Sequence, residues 1–199
     1  MTCSSIIILL LIALMAIVVS LVSDYFWRKK PLKNFPFKFR GKEFWFSRSV
    51  AVTLFTFCEN EKGKMCILAN RRGTGTPDFQ GYWNAPCGYL DFDENSFMAA
   101  QRETYEETGV YVKTESIKLL DCNSDPNDNK RQNVTLRHYA ILEGHTSDYK
   151  LDTRFSEKNE VSDVKWIPLD EIYNYEWAFN HKKLIDKYVR ELSINVDNN

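Results

Sequence analysis

Three glutamates near the middle of the chain have a spacing that could support metal chemistry. Glu103, Glu106 and Glu107 lie within residues 95–108, a segment without glycine or proline that is predicted to be helical. Positions i, i+3 and i+4 share one helix face, here an arc of about 100°. Crowded carboxylates repel one another, and Mg²⁺ or Mn²⁺ would relieve that repulsion because both prefer oxygen ligands. A solvated acidic face is the alternative interpretation, and the helix alone favours it.

The residues on either side of these glutamates favour the metal site over the solvated acidic face. Gly88 is followed after five residues by Glu94 and after seven more by Arg102-Glu103, and Glu106-Glu107 and Gly109-Val110 complete the pattern. This spacing resembles the Nudix box, in which glycine, glutamate, arginine and a Glu-Glu pair recur at these intervals. Thr104 departs from the pattern, which usually has Val, Leu or Ile there. Threonine has a similar size, and its hydroxyl can bond back to a helix carbonyl.

The resemblance extends over residues 48–192 and is weaker outside the box. Trp83 and Pro86 match the family's usual Trp-x-x-Pro-Gly-Gly, but Cys87 replaces the first of those glycines. A single thiol with no histidine nearby in sequence is interpreted as a packing residue, not as a nucleophile.

Several residue roles follow from the resemblance. It implies that Glu103, Glu106 and Glu107 are catalytic and ligate Mg²⁺ or Mn²⁺. It implies that Glu94 and Arg102 form an ion pair that holds the loop and helix together, and that Gly88 and Gly109 supply the backbone conformations at its ends. Glu160 is a candidate further ligand or general base, and a surface glutamate at a strand edge is an equally good interpretation.

The resemblance also implies the reaction: magnesium-dependent hydrolysis of a pyrophosphate bond in a nucleoside diphosphate linked to another group, which releases a nucleoside monophosphate. ADP-ribose, nucleotide sugars, dinucleotides and nucleoside triphosphates remain open as substrates. Arg71, Arg72 and Arg131 could contact the phosphates or lie on the surface without a role. Two other classes remain open: a Nudix-fold sensor that binds such a ligand without cleaving it, and a membrane scaffold that binds no metal.

The N-terminal segment predicts membrane attachment. Residues 2–23 carry no charged side chain, and residues 28–42 carry seven basic side chains and no acidic one. These features predict a transmembrane anchor over residues 1–23, a basic and aromatic juxtamembrane linker over 24–47 and a catalytic domain over 48–199 on the cytoplasmic side. A signal peptide is the competing interpretation, but it would have its basic residues before the apolar run.

Composition limits the number of domains, the possible binding partners and the compartment of the protein. The 199 residues suffice for one domain and an appendage, and the net charge of −1 gives no reason to expect nucleic-acid binding. Five cysteines match no disulfide or zinc spacing, which favours a reducing compartment for the globular part. Strands alternating with two main helices predict an α/β fold, a mixed sheet between helices as in the Nudix family. The sequence leaves the oligomeric state open, including a homodimer.

Overall fold

The computed structural model describes residue 8 and residues 11–22, 34–128 and 131–194. The chain divides into two compact units, Met1–Ser47 and Arg48–Asn199.

The prediction of a transmembrane anchor over residues 1–23 is wrong. Residues 11–22 are helical (α1), and residue 8 is helical as well. None of the helices in the described ranges is long and apolar enough to cross a membrane. The membrane partner and the single-pass topology with a cytoplasmic domain, both built on this anchor, are withdrawn with it. Residues 1–7, 9–10 and 23–33, including the basic run that begins at Arg28, lie outside the described residues.

A hairpin occupies part of the segment that was predicted to be a linker. Strands β1 (Phe35–Phe39) and β2 (Lys42–Phe46) pair antiparallel. Arg40 and Gly41 connect them, both with positive φ (49° and 78°), as a type I′ turn requires. Phe35 stacks on Phe46 with ring centroids 5.0 Å apart, so cross-strand aromatic pairs support the register.

The second unit is built on one mixed sheet. The described strands run in the order β5-β4-β3-β8-β7, with β6 paired to β3 and β9 paired to β4. Only the β3–β8 pairing is parallel among these strands. Their bounds are β3 Val50–Glu59, β4 Met65–Arg72, β5 Trp83–Asn84, β6 Cys87–Tyr89, β7 Lys118–Asn123, β8 Val134–His145 and β9 Val161–Pro168.

The central strand β3 is buried on both faces, as its nearly continuous apolar sequence predicts. Val52 and Leu54 pack in a core with Ala99 and Ala100 of helix α2 (Ser96–Thr108). Phe55 and Phe57 belong to a second core. That core contains Ile185 and Tyr188 of helix α3 (His181–Glu191). The sheet therefore lies between two helices, as predicted for the α/β fold. The described ranges also contain short 3₁₀ helices at Thr114–Ser116, Thr146–Asp148 and Leu169–Asn174.

His181, the first residue of α3, ties that helix to the sheet and should make the protein sensitive to acid. It is buried, and its Nδ1 accepts a hydrogen bond of 3.0 Å from the backbone N–H of Ala85. Burial, with smaller contributions from Arg137 and Arg72, lowers the pKa of His181 to about 3. Between its ordinary pKa of about 6.5 and pH 3, the unfolded chain binds a proton that the folded chain excludes. The stabilisation is thus complete above about pH 6.5 and is lost as the pH falls.

We expect the free energy of unfolding to fall by on the order of 4 kcal/mol between pH 6.5 and pH 3 through this group alone. Urea unfolding of the wild type and of His181→Gln at pH 7, 5 and 4 measures it, with His145→Gln as the control at an exposed histidine. Identical pH slopes for the wild type and His181→Gln would contradict the assignment.

Candidate active site

Helix α2 is held at both ends by local signals in the sequence. The Asn95 side chain accepts hydrogen bonds of 3.0 Å from the backbone N–H groups of Phe97 and Met98, which caps the first turn. Gly109 ends the helix with φ 76°, and its N–H donates to the carbonyl of Tyr105 at 2.8 Å. The Thr104 hydroxyl donates to the carbonyl of Ala100 at 2.7 Å, so the predicted back-bond is confirmed.

Arg102 is the central cation of the site and does more than the sequence suggested. The predicted ion pair with Glu94 is present, with its guanidinium donating to both carboxylate oxygens at 2.7 and 3.1 Å. The same guanidinium also donates to Glu103 at 2.8 Å, to Glu106 at 3.1 Å and to the Tyr89 carbonyl at 3.0 Å. Arg102 and Glu106 are four residues apart and therefore neighbours on the helix surface, so one guanidinium can contact Glu106 and the adjacent Glu103 together.

Glu103 and Glu107 are crowded and short of positive charge. Glu107 is 3 % exposed and accepts one hydrogen bond of 3.0 Å from the Cys87 N–H. Burial, and then the neighbouring charges of Glu103 and Glu160, raise its pKa well above the ordinary range. Burial likewise raises the pKa of Glu103 to about 7, although Arg102 opposes the shift. Gly88 lies so close to Glu103 that a Cβ there would overlap the carboxylate, so a side chain at this position would force Glu103 to move.

Cys87 lies between these glutamates but is not an activated thiol. Burial, followed by the charge of Glu107, raises the pKa of the Cys87 thiol far above its ordinary range. Its sulfur lies 3.5 Å from the Asn84 amide nitrogen. Because the thiolate is the reactive form, this environment agrees with the interpretation of Cys87 as a packing residue.

Glu160 lies within electrostatic reach of the same cluster. Burial raises its pKa, and the charges of Glu157 and Glu106 add to the shift. A hydrogen bond fixes its backbone, because the Gly73 N–H donates to the Glu160 carbonyl at 2.6 Å. A Cβ on Gly73 would overlap the Asn159 carbonyl oxygen and lie 3.1 Å from the Glu160 carbonyl carbon. Glycine at 73 therefore sets how closely the segment with Glu160 approaches the sheet.

This packing predicts that Gly73→Ala displaces Glu160. We expect a loss of about 1–3 kcal/mol in stability, the usual cost of overpacking, and a fall in activity beyond what the lower stability explains. Thermal melting and initial rates measured well below the melting temperature separate the two effects. Normal activity in Gly73→Ala would argue against a role for the position of Glu160.

The donor groups of this cluster suit the divalent cation that the glutamate pattern implies, although they are not arranged around one. Within the described ranges, no three His, Cys, Asp or Glu side chains are arranged to hold a metal ion, so the predicted cage is not preassembled. The donor chemistry nevertheless fits a hard divalent cation, because Glu103, Glu107 and Glu160 supply only oxygen, and burial together with neighbouring carboxylates raises the pKa of each. Arg102 holds Glu103 and Glu106, and it is the partner that a cation would replace.

The arginines predicted to bind phosphate differ in their surroundings. Arg71 is exposed and donates to the Gly81 carbonyl at 2.8 Å. Arg72 is the one whose positive charge lowers the pKa of Glu107 and of Glu160 against the effect of burial. Arg131 lies 3.3 Å from Asp78, which also pairs with Arg72. Arg72 thus acts on the glutamates of the site, whereas Arg71 contacts the Gly81 carbonyl and its role in phosphate binding remains a prediction.

Comparison with known proteins identifies the family. A family model described as NUDIX domain matches residues 47–188, and the chain belongs to this family. It is 29% identical over 150 residues to Nudix hydrolase 6 of Arabidopsis thaliana, an alignment that covers 69% of this chain and 45% of that protein. It is 31% identical over 90 residues to the rat (Rattus norvegicus) asymmetrical bis(5'-nucleosyl)-tetraphosphatase, covering 45% of this chain and 58% of the relative. The chain thus spans about half the length of these curated relatives.

Solved structures show the same fold. The NUDIX domain of Shewanella oneidensis NrtR, solved with ADP ribose, superposes with a TM-score of 0.62 at 24% identity, covering 73% of this chain and 89% of that one. A bifunctional NMN adenylyltransferase/ADP ribose pyrophosphatase from Francisella tularensis, solved with AMP and a manganese ion, has a TM-score of 0.57 at 22% identity, covering 84% and 45%. At these identities the similarity establishes the fold.

Proposed function

We propose that residues 48–199 form a metal-dependent pyrophosphohydrolase that cleaves a nucleoside diphosphate linkage and releases a nucleoside monophosphate. One observation carries this proposal: a single guanidinium, that of Arg102, faces Glu94, Glu103 and Glu106, while the buried Glu107 has no cationic partner among its hydrogen bonds in the described structure. Such an excess of buried carboxylate is costly unless a cation joins it.

Mg²⁺ or Mn²⁺ fits this role, with Glu103, Glu106 and Glu107 as the proposed ligands. When bound, the metal would neutralise the pyrophosphate and make a water molecule more acidic. Glu94 and Arg102 keep the loop from Gly88 fixed to α2, which orients the ligands. Glu160, with its raised pKa, is proposed as the general base that takes a proton from the attacking water.

Two features favour a nucleotide as the rest of the substrate. Arg72 supplies positive charge next to the carboxylates, and Arg131 supplies more at the loop after β7. A cleft of about 280 Å³ at the start of α3 offers an aromatic ring with cationic and amide groups, as a nucleoside requires. It is lined by Asn123, Asp128, Arg137, Phe179, Asn180, Lys183 and Leu184.

The names of the relatives narrow the substrates to be tested. The rat relative is named for dinucleoside tetraphosphate cleavage, and structural neighbours were solved with ADP ribose or named for its hydrolysis. Both substrate types contain the linkage that the proposed site would cleave.

The full chain incubated with Mg²⁺ and ADP-ribose, nucleoside triphosphates, dinucleoside polyphosphates or nucleotide sugars tests the proposal. We expect a nucleoside monophosphate from at least one of them, with release abolished by Glu106→Gln and by EDTA. The control, Glu115→Gln, changes an exposed glutamate outside α2. Hydrolysis that continues in EDTA would refute the proposal.

A non-catalytic sensor is the second candidate, and the contacts of Arg102 favour it. With Glu103 and Glu106 engaged, the site could bind a nucleotide without recruiting a metal. This candidate predicts calorimetric binding of ADP-ribose with no product and no dependence on Mg²⁺. Product formation that depends on metal would exclude it.

A further inference from the structure

Asp78 bridges two arginines from different parts of the fold: Arg72 is the last residue of β4, and Arg131 lies in the loop between β7 and β8. Its Oδ1 accepts a hydrogen bond of 2.9 Å from Arg72, and its Oδ2 lies 3.3 Å from Arg131. Each carboxylate oxygen therefore has its own guanidinium. Two cations converging on one acidic group is the arrangement by which proteins hold a phosphate, since guanidinium groups bind carboxylates and phosphates with the same geometry.

The bridge lies beside the proposed catalytic residues. Arg72 acts electrostatically on Glu107 and Glu160, as described above. On the other side, Arg131 reaches the hydroxyl of Tyr89 at 3.4 Å, and the carbonyl of Tyr89 accepts from Arg102 at 3.0 Å. An anion between Arg72 and Arg131 would thus be adjacent to the scissile position but separate from the α2 glutamates.

Asp78 can leave this position without disturbing Arg72. The Arg72 side chain is only 11% exposed, and its Nε donates to the backbone carbonyl of Asp78 at 3.0 Å. Its guanidinium also lies 4.7 Å from the centroid of the Phe179 ring. These two contacts do not involve the Asp78 carboxylate, so they would keep the guanidinium oriented after the carboxylate moves away. The Asp78 and Arg131 side chains are 37% and 50% exposed, so both are accessible from solvent.

We propose that Arg72 and Arg131 form an anion subsite that the Asp78 carboxylate occupies in the free protein, and that a substrate phosphate beyond the scissile linkage displaces it. This subsite rests on the proposed function, because its ligand is a phosphate of the substrate, and it narrows the substrate class of that function. It favours substrates with three or more phosphates, nucleoside triphosphates or dinucleoside polyphosphates, over those with a single diphosphate. Asp78 then acts as a specificity-determining residue, because it competes with the extra phosphate.

Binding of sodium tripolyphosphate to the full chain in the absence of metal tests the subsite directly. We expect Asp78→Asn to bind about three- to tenfold more tightly by calorimetry, because the competing charge is gone while an amide oxygen can still accept from Arg72. Arg131→Gln should weaken binding by a similar factor and should cancel the gain in the double variant. Weaker or unchanged binding in Asp78→Asn would overturn the proposal, since it would show that Asp78 only positions Arg72.

The matched control is Glu143→Gln, which removes one negative charge near the far end of β8. It lies nine residues beyond Val134, about 30 Å along the strand, where salt screens its effect. Binding should therefore stay within about twofold of the wild type. Arg131→Gln changes a half-exposed side chain, so it keeps the test decisive even if Asp78→Asn lowers the melting temperature.

Substrate kinetics separate this inference from the proposed function. For a dinucleoside tetraphosphate, Asp78→Asn should lower KM and leave kcat nearly unchanged, while KM for ADP-ribose should not move. Equal changes in KM for both substrates would overturn the inference and leave the hydrolase intact. If the wild type cleaves nothing, the proposed function fails, and the tripolyphosphate titration still decides whether the anion subsite exists.

Discussion

Glu107→Gln is expected to lower kcat by at least about a hundredfold while the protein melts at the same temperature or higher. Glu107 is a proposed metal ligand, and loss of such a ligand would remove several kcal/mol of transition-state stabilisation, where each 1.36 kcal/mol is a factor of ten in rate. The stability should not suffer, because glutamine has the shape of glutamate and its amide oxygen can accept the hydrogen bond from the Cys87 N–H. Burial disfavours the charged form of Glu107, so a neutral side chain removes that cost.

Thermal melting with and without Mg²⁺ provides a readout independent of turnover. A metal that binds only the folded state raises the melting temperature of the wild type as its concentration increases. Glu107→Gln should lose most of this rise, and the exposed control Glu115→Gln should keep it. A Glu107→Gln protein that hydrolyses nucleotides at the wild-type rate would remove this glutamate from the catalytic centre.

The helix that carries the glutamates could be predicted closely because its signals are local. Segment 95–108 was predicted, and α2 spans Ser96–Thr108 with Asn95 as its cap. A capping side chain and a left-handed glycine each act within one turn, so neither depends on the rest of the fold. The start of α3 lacks such a local signal: Phe179 and Asn180 have positive φ (54° and 61°), the Asn180 side chain makes no capping hydrogen bond, and the helix begins at His181.

Features that depend on contacts distant in sequence were missed. The basic and aromatic composition of residues 24–47 predicts a linker, whereas residues 35–46 form a hairpin around Arg40 and Gly41. Two short strands, β5 and β6, lie on either side of Pro86, and each pairs with a strand distant in sequence or across the sheet, β5 with β4 and β6 with β3. The strand register shifts between Arg71 and Arg72, an irregularity that no pattern in the sequence predicts.

Replacing Arg102 is expected to cause the largest loss of stability at the site. Arg102→Met removes the partner of Glu94, whose side chain is 12% exposed and whose pKa is lowered mainly by that hydrogen bond. Breaking a fully buried pair costs about 3–5 kcal/mol, and the 29% exposure of Arg102 reduces this to about 2–3 kcal/mol. Arg102→Lys should recover little, because an ammonium cannot reach both Glu94 oxygens and the Tyr89 carbonyl together.

A double-mutant cycle determines which of these contacts provides the stabilisation. The cycle that joins Arg102→Met with Glu94→Gln should give a coupling energy of about 1–3 kcal/mol, because the pair is bidentate and largely shielded. The cycle with Glu106→Gln should give less than about 0.5 kcal/mol, because that side chain is 41% exposed and contacts one nitrogen at 3.1 Å. Urea unfolding of the single and double variants measures both. The difference between the two coupling energies matters for function. An arginine bound tightly to Glu94 but weakly to Glu106 can release Glu106 to a metal while its contact with Glu94 keeps the loop fixed. Equal coupling to both glutamates would instead mean that Arg102 holds the ligand side closed, which would favour the sensor over the hydrolase.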